Sequence, residues 1–395
     1  MSPRRPGRSR PETPLVTPRG TGQDAPVANP ATSSPRGSWA DLLPGLALCV
    51  LTALLARAAH QAIPPGVGTV VGEVVFAVAF GLFFGNVAKL PPLFTPGIRF
   101  SFQAVLRAAI VLLGATFSAQ QVVAIGGKAV TMIVALMAIA LVAAHALGRF
   151  AGVPGRLATL IGVGTAVCGN SAIVAVAPVI RARDEDVSFA IATNTLFGTL
   201  CVFLYPLIAR AFEMSDAAFG TWAGAAVNDT SQVVAAGFAF SEAAGRLATA
   251  VKLTRNALMG PVIVLMGILY ARSAARSGEG DDAREGRLGN RRASFWMRAK
   301  QSVPLFVLGF LAMAALNSLG VFRELSFRTG RDLVQDAQWT ARVLILIALA
   351  GVGFSTRLDA MRKTGLRPLY VGLTVAAATS GACLLWIRFL GPATQ

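Results

Sequence analysis

Apolar runs of about twenty residues recur from residue 40 to residue 390, and no other feature limits the fold as strongly. A run of that length spans the hydrocarbon core of a bilayer as a helix. Most of these runs are apolar all round and lack the polar stripe of a surface helix. Charged residues make up only 14% of the 395-residue chain, against about 25% in soluble domains. The expected fold is therefore an all-α, polytopic membrane protein. Eleven spans are predicted, near 40–60, 68–88, 101–119, 128–149, 157–180, 187–210, 220–240, 247–271, 301–320, 338–356 and 367–390.

The formal net charge of +17 does not point to nucleic acid, because the basic residues cluster between apolar segments. Residues 1–38 are rich in Pro, Arg, Ser, Thr and Gly and predict a disordered basic tail ahead of a transmembrane domain over 39–391. By the positive-inside rule, that tail, the 272–300 loop and the 356–367 loop all belong on the cytoplasmic side, which fits eleven crossings. Two external loops resist this scheme. One is Arg181-Ala182-Arg183-Asp184-Glu185-Asp186, and the other is 321–337, with Arg323, Arg328 and Arg331. A re-entrant segment at 157–180 would relieve the first. Cys49, Cys168, Cys201 and Cys383 fall inside spans without metal-type spacing, and His60 and His145 lack a ligand partner at helical spacing. No metal or cofactor is expected, and no nucleotide-hydrolysing or hydrolase motif points to an enzyme.

Two polar signatures interrupt this apolar background. The first, Gly164-Thr165-Ala166-Val167-Cys168-Gly169-Asn170-Ser171, lies in the fifth span. The second, Gly224-Ala225-Ala226-Val227-Asn228-Asp229-Thr230-Ser231-Gln232, lies in the seventh. Hydrocarbon offers such groups no hydrogen-bond partner, so they predict two interrupted helices inside a protein-lined cavity. Candidate solute contacts are Gly164, Thr165, Cys168, Gly169, Asn170, Ser171, Asn228, Thr230, Ser231 and Gln232. Packing against a neighbouring helix is the competing reading for Gly162 and Gly164. Asp229 and Glu73 are the carboxylates placed well inside spans, and both are candidates for ion coupling. Arg107 and Arg255 are candidate anion contacts, with an ion pair or snorkelling as the alternative for Arg107. For Lys252 and Arg255, at the start of the eighth span, snorkelling is the expectation. A short inverted repeat links Leu112-Leu113-Gly114-Ala115-Thr116-Phe117-Ser118 to Leu349-Ala350-Gly351-Val352-Gly353-Phe354-Ser355. The signatures fit that symmetry poorly, because spans five and seven would run in one direction unless one of them is a hairpin.

The Cys168-Gly169-Asn170-Ser171-Ala172-Ile173 core, with Ala177-Pro178-Val179-Ile180 downstream, and the run Asn228 to Ala236 together resemble the YeiH-type family of conserved bacterial inner-membrane proteins, assigned as sulfate exporters. The resemblance covers roughly residues 40–390. Asn228 stands where that family's pattern leads one to expect histidine, which argues against an imidazole proton relay there. The resemblance implies a multi-pass protein of the inner membrane that acts as a secondary transporter. A more distant similarity reaches cation/proton antiporters and bile-acid symporters, with crossed interrupted helices. The leading expectation is a transporter of sulfate or an organosulfonate, coupled to a proton or sodium ion, embedded in lipid and open to forming a homodimer. The alternatives are a cation/proton antiporter with Asp229 as ion site, and a non-transporting receptor or assembly protein.

Overall fold

The computed structural model describes residues 39–62, 72–88, 90–276, 304–356 and 366–393. The expected tail over 1–38 and most of the 272–300 and 356–367 loops lie outside these residues. All regular structure among the described residues is helical. In chain order the helices are α1 (Trp39–Gln61), α2 (Glu73–Val87), α3 (Thr95–Phe100), α4 (Leu106–Leu113), α5 (Ala119–Phe150), α6 (Gly155–Ala166), α7 (Asn170–Val176) and α8 (Asp184–Ala211). They continue with α9 (Asp216–Ala226), α10 (Thr230–Phe240), α11 (Glu242–Ala257), α12 (Met259–Arg276), α13 (Leu305–Ser318), α14 (Val321–Thr329), α15 (Leu333–Ser355) and α16 (Leu366–Leu390). A π-helical turn, Ser101–Val105, joins α3 to α4, so Pro92–Thr116 forms one long apolar segment.

The exterior is apolar, with Leu43, Leu51, Val123, Val142 and Phe389 among the exposed side chains, whereas Lys252, Arg255, Asn194 and Gln232 are buried. That inversion of the soluble pattern belongs to a protein solvated by lipid. Seven helices are long and apolar enough to cross a bilayer, and the α13–α14 pair, bent by 67°, makes an eighth. Helix α2 is shorter and also runs from end to end, its Glu73 end beside the end of α1 and its Asn86 end bonded to Thr356. Among the described residues this gives nine crossings where the sequence predicts eleven spans.

The other two are hairpins. The end of α1 that carries Trp39 defines the proximal end of the molecule, and the end that carries His60 defines the distal end. Ser241, just after α10, donates to Asp216 at the start of α9 at 2.6 Å, and the tilted rings of Phe219 and Phe240 lie 4.3 Å apart. Segment 216–241 therefore enters from the distal end and returns there. Helix α6 starts at the proximal end, since α12 places Met259 beside Cys168 and Tyr270 beside Gly155 and Thr159. The side chain of Ile173 packs against Gly164, residues that a straight helix would hold about 13 Å apart. Helix α8 runs parallel to α10, with Thr199 beside Gln232 and Arg210 beside Phe240, so it starts at the proximal end and draws the return of α7 there. The chain thus holds two opposed re-entrant hairpins, α6–α7 and α9–α10.

The crossings form two bundles. Helices α1, α2, α3–α4, α13 and α15 pack chiefly on one another, and α5 to α12 pack together with α16. The first bundle is close-packed backbone to backbone. A Cβ on Gly45 would strike Phe94 and Gly97, and one on Gly353 would strike Val78 and Gly81. The two copies of the sequence repeat lie in this bundle. They run antiparallel, since Pro92–Thr116 ascends to the distal end while α15 descends beside it, with Ser101 donating to the Ile347 carbonyl at 3.0 Å. In cysteine-depleted protein, single cysteines replacing Arg156 and Arg181 are expected to react with an impermeant maleimide from the same side of the membrane. Labelling from opposite sides would restore a full crossing at 157–180.

Candidate functional site

The hairpins turn at the two polar signatures. Helix α6 ends at Ala166 and α7 begins at Asn170, while α9 ends at Ala226 and α10 begins at Thr230. Gly169 turns the first with φ 71° and ψ −127°, a conformation side-chain-bearing residues avoid. A Cβ there would also lie 3.2 Å from the Asp229 Cα and 2.8 Å from the Asn194 amide nitrogen. The tips therefore touch. Asp229 caps α10, and its Oδ1 accepts from the Ser231 amide at 2.9 Å and the Ser231 hydroxyl at 2.7 Å.

A helix that stops inside a membrane protein leaves backbone carbonyls unpaired. Helix α11 supplies the missing donors from one face. The Lys252 ammonium donates to the Val167 carbonyl at 3.0 Å, to the Val227 carbonyl at 2.9 Å and to the Asn228 carbonyl. Arg255 donates through Nε to the Ala166 carbonyl at 2.7 Å and through a terminal nitrogen to the Ala225 carbonyl at 2.7 Å. Both cations thus sit at the negative ends of α6 and α9. Lys252 is fully buried and Arg255 is 4% exposed, which overturns the expectation that they snorkel at an entrance. The eighth span begins earlier than expected, at Glu242, and this carries both residues to the level of the tips. Arg255 does not line the cavity beside the tips, and its Nε and one terminal nitrogen are bonded to carbonyls.

Polar side chains of α8 brace the tips. Asn194 donates to the Asn170 oxygen at 2.9 Å, and Asn170 donates to the Thr195 hydroxyl at 3.2 Å. Gln232 donates to the Thr195 carbonyl at 3.1 Å and the Thr199 hydroxyl at 3.3 Å, occupying space left by Gly198. From α11, Asn256 donates to the Thr230 hydroxyl at 3.1 Å. Asn194, Thr195, Thr199 and Asn256 carry no distinctive signature in the sequence, since polar side chains inside a helix often bond back to its own carbonyls.

Beside the tips lies a cavity of about 240 Å³, enough for a small solute with a few waters at about 30 Å³ each. Its walls come from both bundles. Cys168, Asn170, Ser171, Asp229, Thr230, Ser231 and Gln232 face Phe102, Gln103, Arg107 and Phe306 across it. The wall reaches the proximal ends of α13 and α15 at Pro304 and Thr356. On the distal side the bundles meet: Gly72 lies against Phe238 and Ala239, and Glu242 of α11 pairs with Arg342 of α15. The exposed Arg107 lies 6.0 Å from the Phe306 ring and makes no ion pair among the described residues.

Most of the expected site residues are thereby brought together. Gly164, Thr165 and Asn228 are buried behind the tips and do not line the cavity. Glu73 is not inside a span. It is the first residue of α2 and lines a separate distal cavity with His60, Glu242 and Arg342. No cluster of metal-binding side chains occurs among the described residues.

The family model for "Conserved hypothetical protein 698" matches residues 44–372, which takes in both hairpins and leaves out most of α16. The chain belongs to the UPF0324 membrane-protein family. It is 32% identical over 310 residues to a UPF0324 membrane protein of Clostridium tetani, covering 78% of this chain and 86% of that one. Against the UPF0324 membrane protein of Streptococcus pyogenes it is 33% identical over 338 residues, covering 84% and 92%. Against that of Nitratidesulfovibrio vulgaris it is 32% identical over 315 residues, covering 79% and 82%. The family, foreseen from the two signatures, is one of multi-pass membrane proteins.

Replacing Gly169 by alanine is expected to destabilise the detergent-solubilised protein by about 2 kcal/mol, the order of cost of one forced backbone conformation. The measurement is the thermal unfolding midpoint, and an unchanged midpoint would mean that the tip relaxes freely.

Proposed function

We propose that this protein is a secondary transporter that carries a small anion by alternating access. One observation carries the reading: a polar cavity at the depth of two opposed hairpin tips, walled on one side by the bundle that holds the tips and on the other by a separate bundle. A solute bound there is exposed to one end of the molecule while cross-bundle contacts close the other end. Movement of one bundle against the other exchanges the two openings.

The tips favour an anion. Their carbonyl ends are occupied by Lys252 and Arg255, while Asn170, Ser171, Thr230 and Ser231 line the cavity together with Arg107. A guanidinium suits the oxygens of sulfate or a sulfonate. Asp229 Oδ1 is held by Ser231, and we assign Asp229 the coupling step, in which it takes up a proton or a cation.

The proximal end is assigned to the cytoplasm of the bacterial inner membrane. Arg149, Arg156, Arg181, Arg183, Arg272 and Arg367 all sit at proximal helix ends or turns. With α6–α7 a hairpin, the Arg181–Asp186 turn no longer breaks the positive-inside rule.

A second reading has its own support. The buried side-chain oxygens of Asn194, Asn228, Gln232 and Asn256 have no hydrogen-bond donor, and unpaired oxygens of this kind suit a hard cation. A cation/proton antiporter with Asp229 as ion site follows from that. In proteoliposomes, Asp229→Asn is expected to lower gradient-driven flux of labelled sulfate at least about tenfold without altering the unfolding midpoint. Wild-type coupled flux in that variant would remove Asp229 from the mechanism. Sodium-dependent proton movement with no sulfate flux in the unmodified protein would favour the antiporter.

A further inference from the structure

The cavity beside the hairpin tips has two unlike walls. The tip side is polar. On the side of the first bundle, Phe102, Leu106 and Ile110 follow one another four apart along the π-helical turn and α4, and form one apolar stripe. Phe306 of α13 and Val352 of α15 widen it. The neighbouring stripe of the same segment, Gln103 and Arg107, lines the cavity as well, so a guanidinium lies beside the apolar patch. An inorganic oxyanion has no apolar part. Bound here, it leaves the patch to water, which finds no hydrogen-bond partner on hydrocarbon. Its oxygens also need donors, and much of the polar lining is already bonded within the protein. Ser231 donates to Asp229, Asn170 donates to Thr195, and Gln232 donates to Thr195 and Thr199. The planar fork of Arg107 matches the two coplanar oxygens of a single carboxylate.

We infer that the cavity is a binding site for a small organic carboxylate with an apolar body. Arg107 takes the carboxylate, and Phe102, Leu106, Ile110, Phe306 and Val352 take the hydrocarbon. A mostly apolar surface with a few polar groups that fix orientation is the usual construction of a small-molecule pocket. Phe102 and Val352 are then specificity-determining residues that act by direct contact with the body of the passenger. This assignment rests on the anion-transport reading and narrows its small anion to an organic one.

The test uses the full-length protein in detergent with labelled hexanoate, an excess of unlabelled hexanoate defining the specific part. Competition by acetate, butyrate, sulfate, hexanesulfonate and the neutral hexanamide gives relative affinities. Partition into the micelle is common to every variant and cancels when variants are compared. Each methylene added between acetate and hexanoate is expected to tighten binding about threefold. Sulfate and hexanamide are expected to compete at least about tenfold more weakly than hexanoate. Phe102→Ser is expected to weaken hexanoate about tenfold and leave acetate unchanged, while Phe102→Leu keeps most of the affinity. If Phe102→Ser does not fold, Val352→Thr, of nearly equal size, decides by weakening hexanoate about threefold without moving acetate. An unchanged chain-length dependence in the folded variant overturns the assignment, and so does sulfate competing as well as hexanoate. Either result leaves anion transport standing. Hexanesulfonate competing better than hexanoate overturns the carboxylate head. Hexanamide competing as well as hexanoate rejects the anion reading and this assignment together. Absence of specific hexanoate binding overturns the assignment, and specific binding of labelled sulfate by the same protein then keeps the anion reading.

Discussion

The contact between two buried cations and the carbonyl ends of two hairpins carries the rest of the architecture. A helix end inside a membrane protein strands polar groups, and an ammonium at that depth strands a charge. A cation at the centre of a membrane helix costs about 2.5–3.5 kcal/mol on insertion scales. Here the two problems offset each other. Lys252 and Arg255 donate to carbonyls from both tips at once, so these carbonyls and the two basic groups satisfy one another. The joint is also what holds together segments that enter from opposite ends of the molecule. Asn170, Ser171, Thr230 and Ser231, at the same depth, line the cavity.

Opposed hairpins also explain how the signatures can resemble each other without obeying a simple repeat of full spans. Each supplies a carbonyl end and an amide end at one point, because the chain reverses there. A helix merely broken in the middle would present the same two ends on opposite sides of its interruption. The reversal gathers them into one surface, with Gly169 beside Asp229 at the centre.

The two helix interruptions were legible in the sequence, and the topology around them was not. Cys168-Gly169-Asn170-Ser171 and Asn228-Asp229-Thr230-Ser231-Gln232 stand out because hydrocarbon penalises such runs, and both mark places where helices stop. Whether the chain continues or turns back leaves no local trace, since the same glycine and cap residues serve either outcome. That choice is made by distant pairings such as Ser241 with Asp216 and Ile173 with Gly164. Lys252 and Arg255 were misjudged for a related reason. Depth in the membrane depends on where a span begins, and the polar start of α11 at Glu242 does not look like membrane helix. Glu73 failed in the opposite sense, because its apolar surroundings in sequence hide the fact that a helix begins at that residue.

The glycine contacts of the first bundle have a mechanical consequence. Where Gly45 meets Gly97 and Gly81 meets Gly353, backbones lie too close to slide without collision, so that bundle resists internal shear. The second bundle is held rigid by the ionic joint at its tips. The seam between them is softer, and its distal closure includes an ion pair of partly exposed groups, Glu242 and Arg342. Water competes well for such a pair. Strain applied to this molecule will therefore collect along one plane, and the polar cavity beside the hairpin tips lies in that plane.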